Sequence, residues 1–236
     1  MSRKILKKSR ILLWLCFIPC VLLNGACHFQ KSKVSDEERT PQPVVNKVVV
    51  IGFQTAISQG ENPDVFRDSL SGGIYMAEPV SRDVAERMTD FLFERLVAGK
   101  RYVLISPGQA RGVFSNIVDL DKNMTVSLTE ILQKVGKTFG ANAVLIGHIY
   151  RWREREGSNY AINRAASVAF DLHLVRPADG GILWRGRFDK TQKSLSENLF
   201  DLTTFMEGGG RWMTADELAM VGLEKLLKKM PGKQRQ

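Results

Sequence analysis

Four groups of residues have the types and spacing to do chemistry. The run Asp119-Leu120-Asp121-Lys122-Asn123-Met124-Thr125-Val126-Ser127-Leu128-Thr129-Glu130 sets oxygen-bearing side chains at positions 1, 3, 5, 9 and 12 of a calcium loop. Asp119, Asp121, Asn123 and Glu130 are therefore candidate cation ligands. Position 6 of such a loop wants glycine for its sharp turn, and Met124 stands there. The same residues also read as a polar loop closed by Ser127 and Glu130 as a helix cap, which explains them at lower cost. His148 and His173 both fall in β-type runs and could face each other. Two imidazoles without a further ligand make a weak case for zinc, and structural or surface histidines are commoner. Arg151, Trp152, Arg153, Arg155, Tyr160 and Arg164 surround a Gly157-Ser158-Asn159 turn. Interleaved guanidinium and aromatic groups suit stacking or an acidic partner, so these six are candidate partner-binding residues. Gly136-Lys137-Thr138 imitates the end of a phosphate loop, but Ile131 occupies the place of the loop's first glycine and the triplet lies inside a helical pattern. HExxH, GxSxG and SxxK motifs are absent from the sequence, and no pair of carboxylates is set for acid–base work. The expectation is a protein without enzymatic activity and without a cofactor.

The third cysteine, Cys27, has a different chemistry. Ahead of it lie five positive charges (Arg3, Lys4, Lys7, Lys8, Arg10), a nearly unbroken apolar run from Ile11 to Leu23, and Asn24-Gly25-Ala26. The apolar run is too short to span about 30 Å of hydrocarbon, and small residues follow it in place of a charged flank. Residues 1–26 thus read as an export signal. The segment up to Cys27 resembles a bacterial lipobox, although the leucine stands four places before the cysteine instead of three. That resemblance implies cleavage before Cys27, lipidation of its sulfur and acylation of the new terminus. Three acyl chains hold a protein to a bilayer far more firmly than one. His28 in place of aspartate implies sorting to the outer membrane under the enterobacterial rule. Cys16 and Cys20 fall in the removed segment, which leaves no internal disulfide and no thiolate metal site.

Composition agrees with an exported globular domain. The 236 residues are 44% hydrophobic and 25% charged, with a formal charge of +9. Five of the 34 basic residues belong to the export signal, and the 29 that remain stand against 25 acidic ones, a net of +4. The charge therefore gives little support to nucleic-acid binding. Residues 27–46 are the lipidated cysteine and a polar, proline-containing tether, whose roughly 19 flexible residues would span about 25 Å.

Residues 47–236 carry the periodicities of one domain. Val48–Phe53 reads as a buried strand, and a glycine-rich connection through Ser69–Gly73 follows it. Val84, Met88, Phe91, Leu92 and Leu96 recur at helical spacing behind Ser81 and before Gly99. Further strands are expected at Tyr102–Ile105, Ala143–Arg151, Ser167–Val175 and Ile182–Asp189, the last two joined as a hairpin by Pro177–Gly181. Helices are expected after Pro107, from Ser127 to Phe139, over Leu195–Met206, and over Ala215–Met230 with Thr214 and Glu217 as a capping box. The fold class is α/β (α+β): a single mixed sheet of about five strands with helices packed on it, then a hairpin followed by two helices.

Four local patterns resemble the periplasmic domain shared by CsgG, LpoB and the N-terminal domain of TolB. They are Val48–Phe53, the helix-to-strand stretch Val84–Tyr102, the turn Val135–Ile149 with Gly136, Gly140 and Gly147, and the hairpin Asp171–Trp184. The resemblance implies an outer-membrane lipoprotein whose periplasmic domain binds another envelope protein, as a peptidoglycan-synthase activator or an assembly or secretion accessory does. Homo-oligomers are compatible with it. An oligomeric secretion pore of the CsgG type would need membrane-spanning hairpins with strands of about 9–11 residues. The two available insertions, Thr55–Pro79 and Arg153–Ala166, lack them. The other alternative is a calcium-dependent binder using residues 119–130.

Overall fold

The computed structural model describes residues 45–120, 126–158, 161–192 and 211–232, with the backbone alone at 118–120. Its main sheet has five strands: β1 (Lys47–Thr55), β6 (Val103–Ile105), β7 (Ala143–Arg153), β10 (Ser167–Val175) and β11 (Ile182–Thr191). Their order is β11-β10-β7-β1-β6. β1 runs parallel to both β6 and β7, whereas β10 is antiparallel to β7 and β11. The mixed five-stranded sheet is the one expected from the sequence, each strand lying where its apolar pattern put it. β7 and β10 are buried almost throughout because they are central and covered on both faces.

Two helices cover one face. The buried side of α1 (Arg82–Gly99) presents Val84, Ala85, Met88, Leu92 and Leu96, and that of α4 (Ala215–Lys229) presents Leu218, Ala219, Leu223 and Leu226. They enclose Val48, Val50, Phe53, Leu145, Ile149, Phe170, Leu172 and Leu174 of the sheet. The full Thr214–Glu217 capping box forms at the start of α4. On the opposite face, α2 (Pro107–Leu120) and α3 (Leu128–Thr138) pack Ala110, Ile131, Leu132 and Val135 on Val49, Ile51, Val144, Ile146 and Val175. Ser127 accepts a hydrogen bond from the Glu130 N–H at the start of α3, the capping geometry the sequence suggested. The helix expected at Leu195–Met206 lies outside the described residues, as does Cys27 with the segments around it.

Local details differ from expectation at three points. Ser81 occupies the N-cap position of α1, but its side chain makes no capping bond. At the other end Gly99 is the last helical residue, and it is Lys100 that takes the left-handed conformation, with φ 50°. The chain joins the core earlier than the polar tether suggested, since Val45 is already buried against the α1/α4 side.

The connection after β1 contains more structure than its glycines announced. β2 (Ile57–Ser58) pairs with β5 (Pro79–Val80), and β3 (Asp64–Arg67) pairs with β4 (Ile74–Ala77) as a hairpin. β8 (Glu156–Gly157) and β9 (Ile162–Arg164) form another small hairpin. The inward residues Phe66 and Tyr75 of the β3–β4 hairpin pack on Tyr150 and Ala169, covering the part of the sheet that α2 and α3 leave open.

Candidate functional site

A buried polar cluster sits where the β3–β4 hairpin meets the sheet. In register, Asp171 of β10 lies opposite His148 of β7, and His173 opposite Ile146. Paired residues share a face of the sheet, so the two histidines and Asp171 all point toward the hairpin. Asp68 arrives from the hairpin turn. Its Oδ1 accepts from the Leu70 N–H, and its Oδ2 from the Ser71 N–H and hydroxyl. This is an Asx-type turn, in which the carboxylate replaces backbone acceptors and is thereby fixed in direction. Asp68 and His173 are 0% exposed and His148 is 6% exposed.

The distances are short. His173 Nε2 lies 3.3 Å from Asp68 Oδ2, and the Nδ1 atoms of His173 and His148 each lie 3.7 Å from Asp171 Oδ1. Asp171 also accepts from the His148 N–H at 3.1 Å and from the Tyr150 hydroxyl. One possible ligand atom from each of Asp68, His148 and His173 falls within 4.8 Å of the others. Nδ1 of His148 and both ring nitrogens of His173 are buried without a hydrogen-bond partner.

Burial governs the electrostatics. For His173 it outweighs the attraction of Asp171 and Asp68 and lowers the imidazole pKa, favouring the neutral ring. For Asp68 burial acts to raise the pKa, but hydrogen bonds from Ser71 and Leu70, with His173 beside it, outweigh that and hold it below the usual carboxylate range. The Tyr150 phenol is pushed far up, first by burial and then by the charge of Asp171 and its hydrogen bond. A neutral imidazole beside an ionised carboxylate is the state in which both are ligands.

The histidines do come together, as their strands allowed, and the third ligand missing from the sequence argument is Asp68. Its signal was the turn pattern Asp68-Ser69-Leu70-Ser71-Gly72-Gly73, which announces a turn but not its destination. Asp171 carried a clearer signal, since it shares a strand face with His173 two residues on in an otherwise apolar run.

Among the described residues, none of the other candidates joins this cluster. Glu130 is an exposed residue in the first turn of α3, while Asp121, Asn123 and the side chain of Asp119 are outside the described residues. Of the arginine segment, Arg151 donates to Ser167 Oγ and Asp189, Arg153 pairs with Glu78, Arg164 pairs with Glu156, and Arg155 donates to the Trp212 carbonyl. Trp152 packs against the α1/α4 side of the core and donates to Glu154. Tyr160 is outside the described residues. The ion pairs of Arg151, Arg153 and Arg164 tie them into the domain at its surface, and such pairs are individually weak and exchangeable.

A second surface feature is apolar. Val65, Ile74 and Met76 are 54%, 59% and 69% exposed. They share the outer face of the β3–β4 hairpin, where Val65 lies opposite Met76 and Ile74 opposite Arg67. Among the described residues no helix is long and apolar enough to cross a membrane.

No protein-family model and no curated protein matches the chain. Solved structures do. The PelC dodecamer from Paraburkholderia phytofirmans is 15% identical over 82% of this chain and 96% of that chain, with a TM-score of 0.43. The LpoB C-terminal domain from Salmonella enterica is 15% identical over 63% of this chain and 85% of that chain, with a TM-score of 0.38. Lipoprotein GNA1162 from Neisseria meningitidis is 16% identical over 70% of this chain and 96% of that chain, with a TM-score of 0.39.

Proposed function

We propose that this protein is a non-enzymatic lipoprotein, held to the outer membrane through Cys27, whose periplasmic domain binds another envelope protein. The observation that carries partner binding is the outward apolar face of the β3–β4 hairpin. Three large apolar side chains gathered on one exposed face are the kind of patch that marks a surface for a partner. The lipobox-like segment and the tether, which ends before the buried Val45, supply the anchor and the reach. Arg153 stands next to this region through its pair with Glu78, which lies between β4 and β5. An acidic partner could take over such surface ion pairs at small cost, so Arg153 and Arg164 belong to the same reading. The resemblance to CsgG, LpoB and TolB domains favours a partner in wall synthesis or in secretion.

The test is cross-linking of the full-length protein in its native envelope, followed by mass spectrometry, in parallel for the parent and Met76→Asp. A discrete product with one envelope protein, lost in Met76→Asp while the melting temperature stays unchanged, is the expected result. A ladder of self-multimers without such a product would favour the oligomeric secretion reading. A product indifferent to Met76→Asp would remove the hairpin face from the argument.

A further inference from the structure

We propose that Asp68, His148 and His173 bind one divalent first-row transition-metal ion of the zinc type, which pins the β3–β4 turn to strands β7 and β10. The cluster has unmet bonding capacity. Three imidazole nitrogens are enclosed without partners in a site where buried polar atoms are ordinarily satisfied. Ligand atoms within 4.8 Å of one another need only small side-chain rotations to reach the separation of about 3.3 Å that zinc–ligand bonds of about 2.0–2.1 Å set in a tetrahedron.

The cluster also lacks a strong positive charge. Asp68 and Asp171 are both buried carboxylates, and among the described residues the basic groups within 4 Å of them are the two imidazoles. A divalent cation supplies positive charge while leaving the imidazoles neutral and ligating. Asp171, with its Oδ1 3.7 Å from His173 Nδ1, occupies the place of the carboxylate that commonly orients a metal-bound histidine through its other ring nitrogen. Its own orientation is fixed by Tyr150 and the His148 N–H.

The ligand types select among cations. Two imidazoles with one carboxylate suit zinc and its neighbours in the first transition row, whereas calcium and magnesium take oxygen donors. The site therefore differs in its residues and in its cation from the calcium reading of residues 119–130. Its enclosure by the Phe66 ring, 5.3 Å from that of His148, and by Tyr150 suits an ion that ties elements together.

The experiment uses the full-length protein, purified in detergent without a histidine tag and stripped with EDTA. Zinc and cobalt(II) are titrated separately, and zinc-edge X-ray absorption is recorded on the zinc-loaded parent. One equivalent of zinc is expected, with a raised melting temperature and an absorption signature of imidazole and carboxylate ligands without sulfur. His148→Gln, His173→Gln and Asp68→Asn should each weaken binding by at least about 100-fold. Absence of zinc and cobalt binding by the parent would overturn the proposal. So would affinity unchanged in the three variants, which would place the ion at His28 or elsewhere. Should a variant fail to fold, the parent's absorption spectrum decides: a ligand shell lacking two imidazoles overturns the assignment.

Discussion

Tyr150→Phe isolates one bond at the centre of the polar cluster. Tyr150 is fully buried, and its hydroxyl donates to Asp171 Oδ2. Its ring also contacts Phe66 and Tyr75, with centroids 5.7 and 4.8 Å away, and those contacts survive the substitution. What is lost is a donor to a buried carboxylate, whose other oxygen keeps the His148 N–H. Hydrogen bonds to charged groups contribute about 1.5–3 kcal/mol, and leaving the acceptor unsatisfied puts this case in that range. In a domain of this size the loss lowers the melting temperature by roughly 3–12 °C. The assay is urea and thermal unfolding of the EDTA-treated protein, repeated in an Asp171→Asn background. There the acceptor is neutral, so removing the hydroxyl should cost no more than about 0.5–1.5 kcal/mol. The difference between the two backgrounds is the coupling energy. A loss below about 0.5 kcal/mol in the parent, or equal losses in both backgrounds, would refute the account, since changes of that size are what sites without special contacts give.

Two further outcomes follow from the same structure. Gly147→Ala adds a Cβ 2.5 Å from the Asp171 carbonyl oxygen and 2.7 Å from the Phe53 ring, and backbone cannot step aside as a side-chain tip can. It should cost about 1–3 kcal/mol in urea unfolding, and an unchanged midpoint would show that the β7–β10 pair is looser than its packing indicates. Acid stability has a defined sign. The Arg211 guanidinium donates twice to Glu217 and holds its carboxyl below the ordinary 4.5. At Asp189 burial acts to raise the pKa, but hydrogen bonds from Arg187 and Arg151 outweigh it and hold the carboxyl below 3.8. Lowered folded-state values mean that the unfolded chain binds more protons on acidification. This contribution is complete above the unfolded values and is lost as the pH falls through them toward the folded ones. Unfolding midpoints between pH 6 and 3 should decline below pH 4.5, less steeply in Arg211→Gln. The same slope in parent and variant would refute the Arg211–Glu217 part.

Much of the scaffold was legible because its causes are local. The apolar runs of β1, β7 and β10 follow from burial on both faces, and the Thr214–Glu217 box needs only four consecutive residues. A glycine inside a strand marks a bulge or a close approach, and Gly147 marks the latter, since the register shifts fall instead between Val50 and Gly52 and between Ala169 and Phe170. Gly52, with φ 91°, lies in the first of these, and its missing side chain lets Thr89 approach and accept from the Phe53 N–H. No pattern within β1 forecasts that contact, because Thr89 belongs to α1.

The polar cluster divides in the same way. Sequence alone determined that His148, Asp171 and His173 stand on strands, and that Asp171 and His173 share a face, because alternation is a property of a single strand. It also determined that Asp68 begins a turn. Only tertiary structure decided that β10 pairs with β7 in the register that sets Asp171 opposite His148, and that the hairpin folds back to deliver Asp68 to His173. Register and docking come from burial summed over the whole sheet face, and a one-residue slip would have turned these side chains to the other side. The chemistry of each residue was written in the chain, and their meeting was decided by packing.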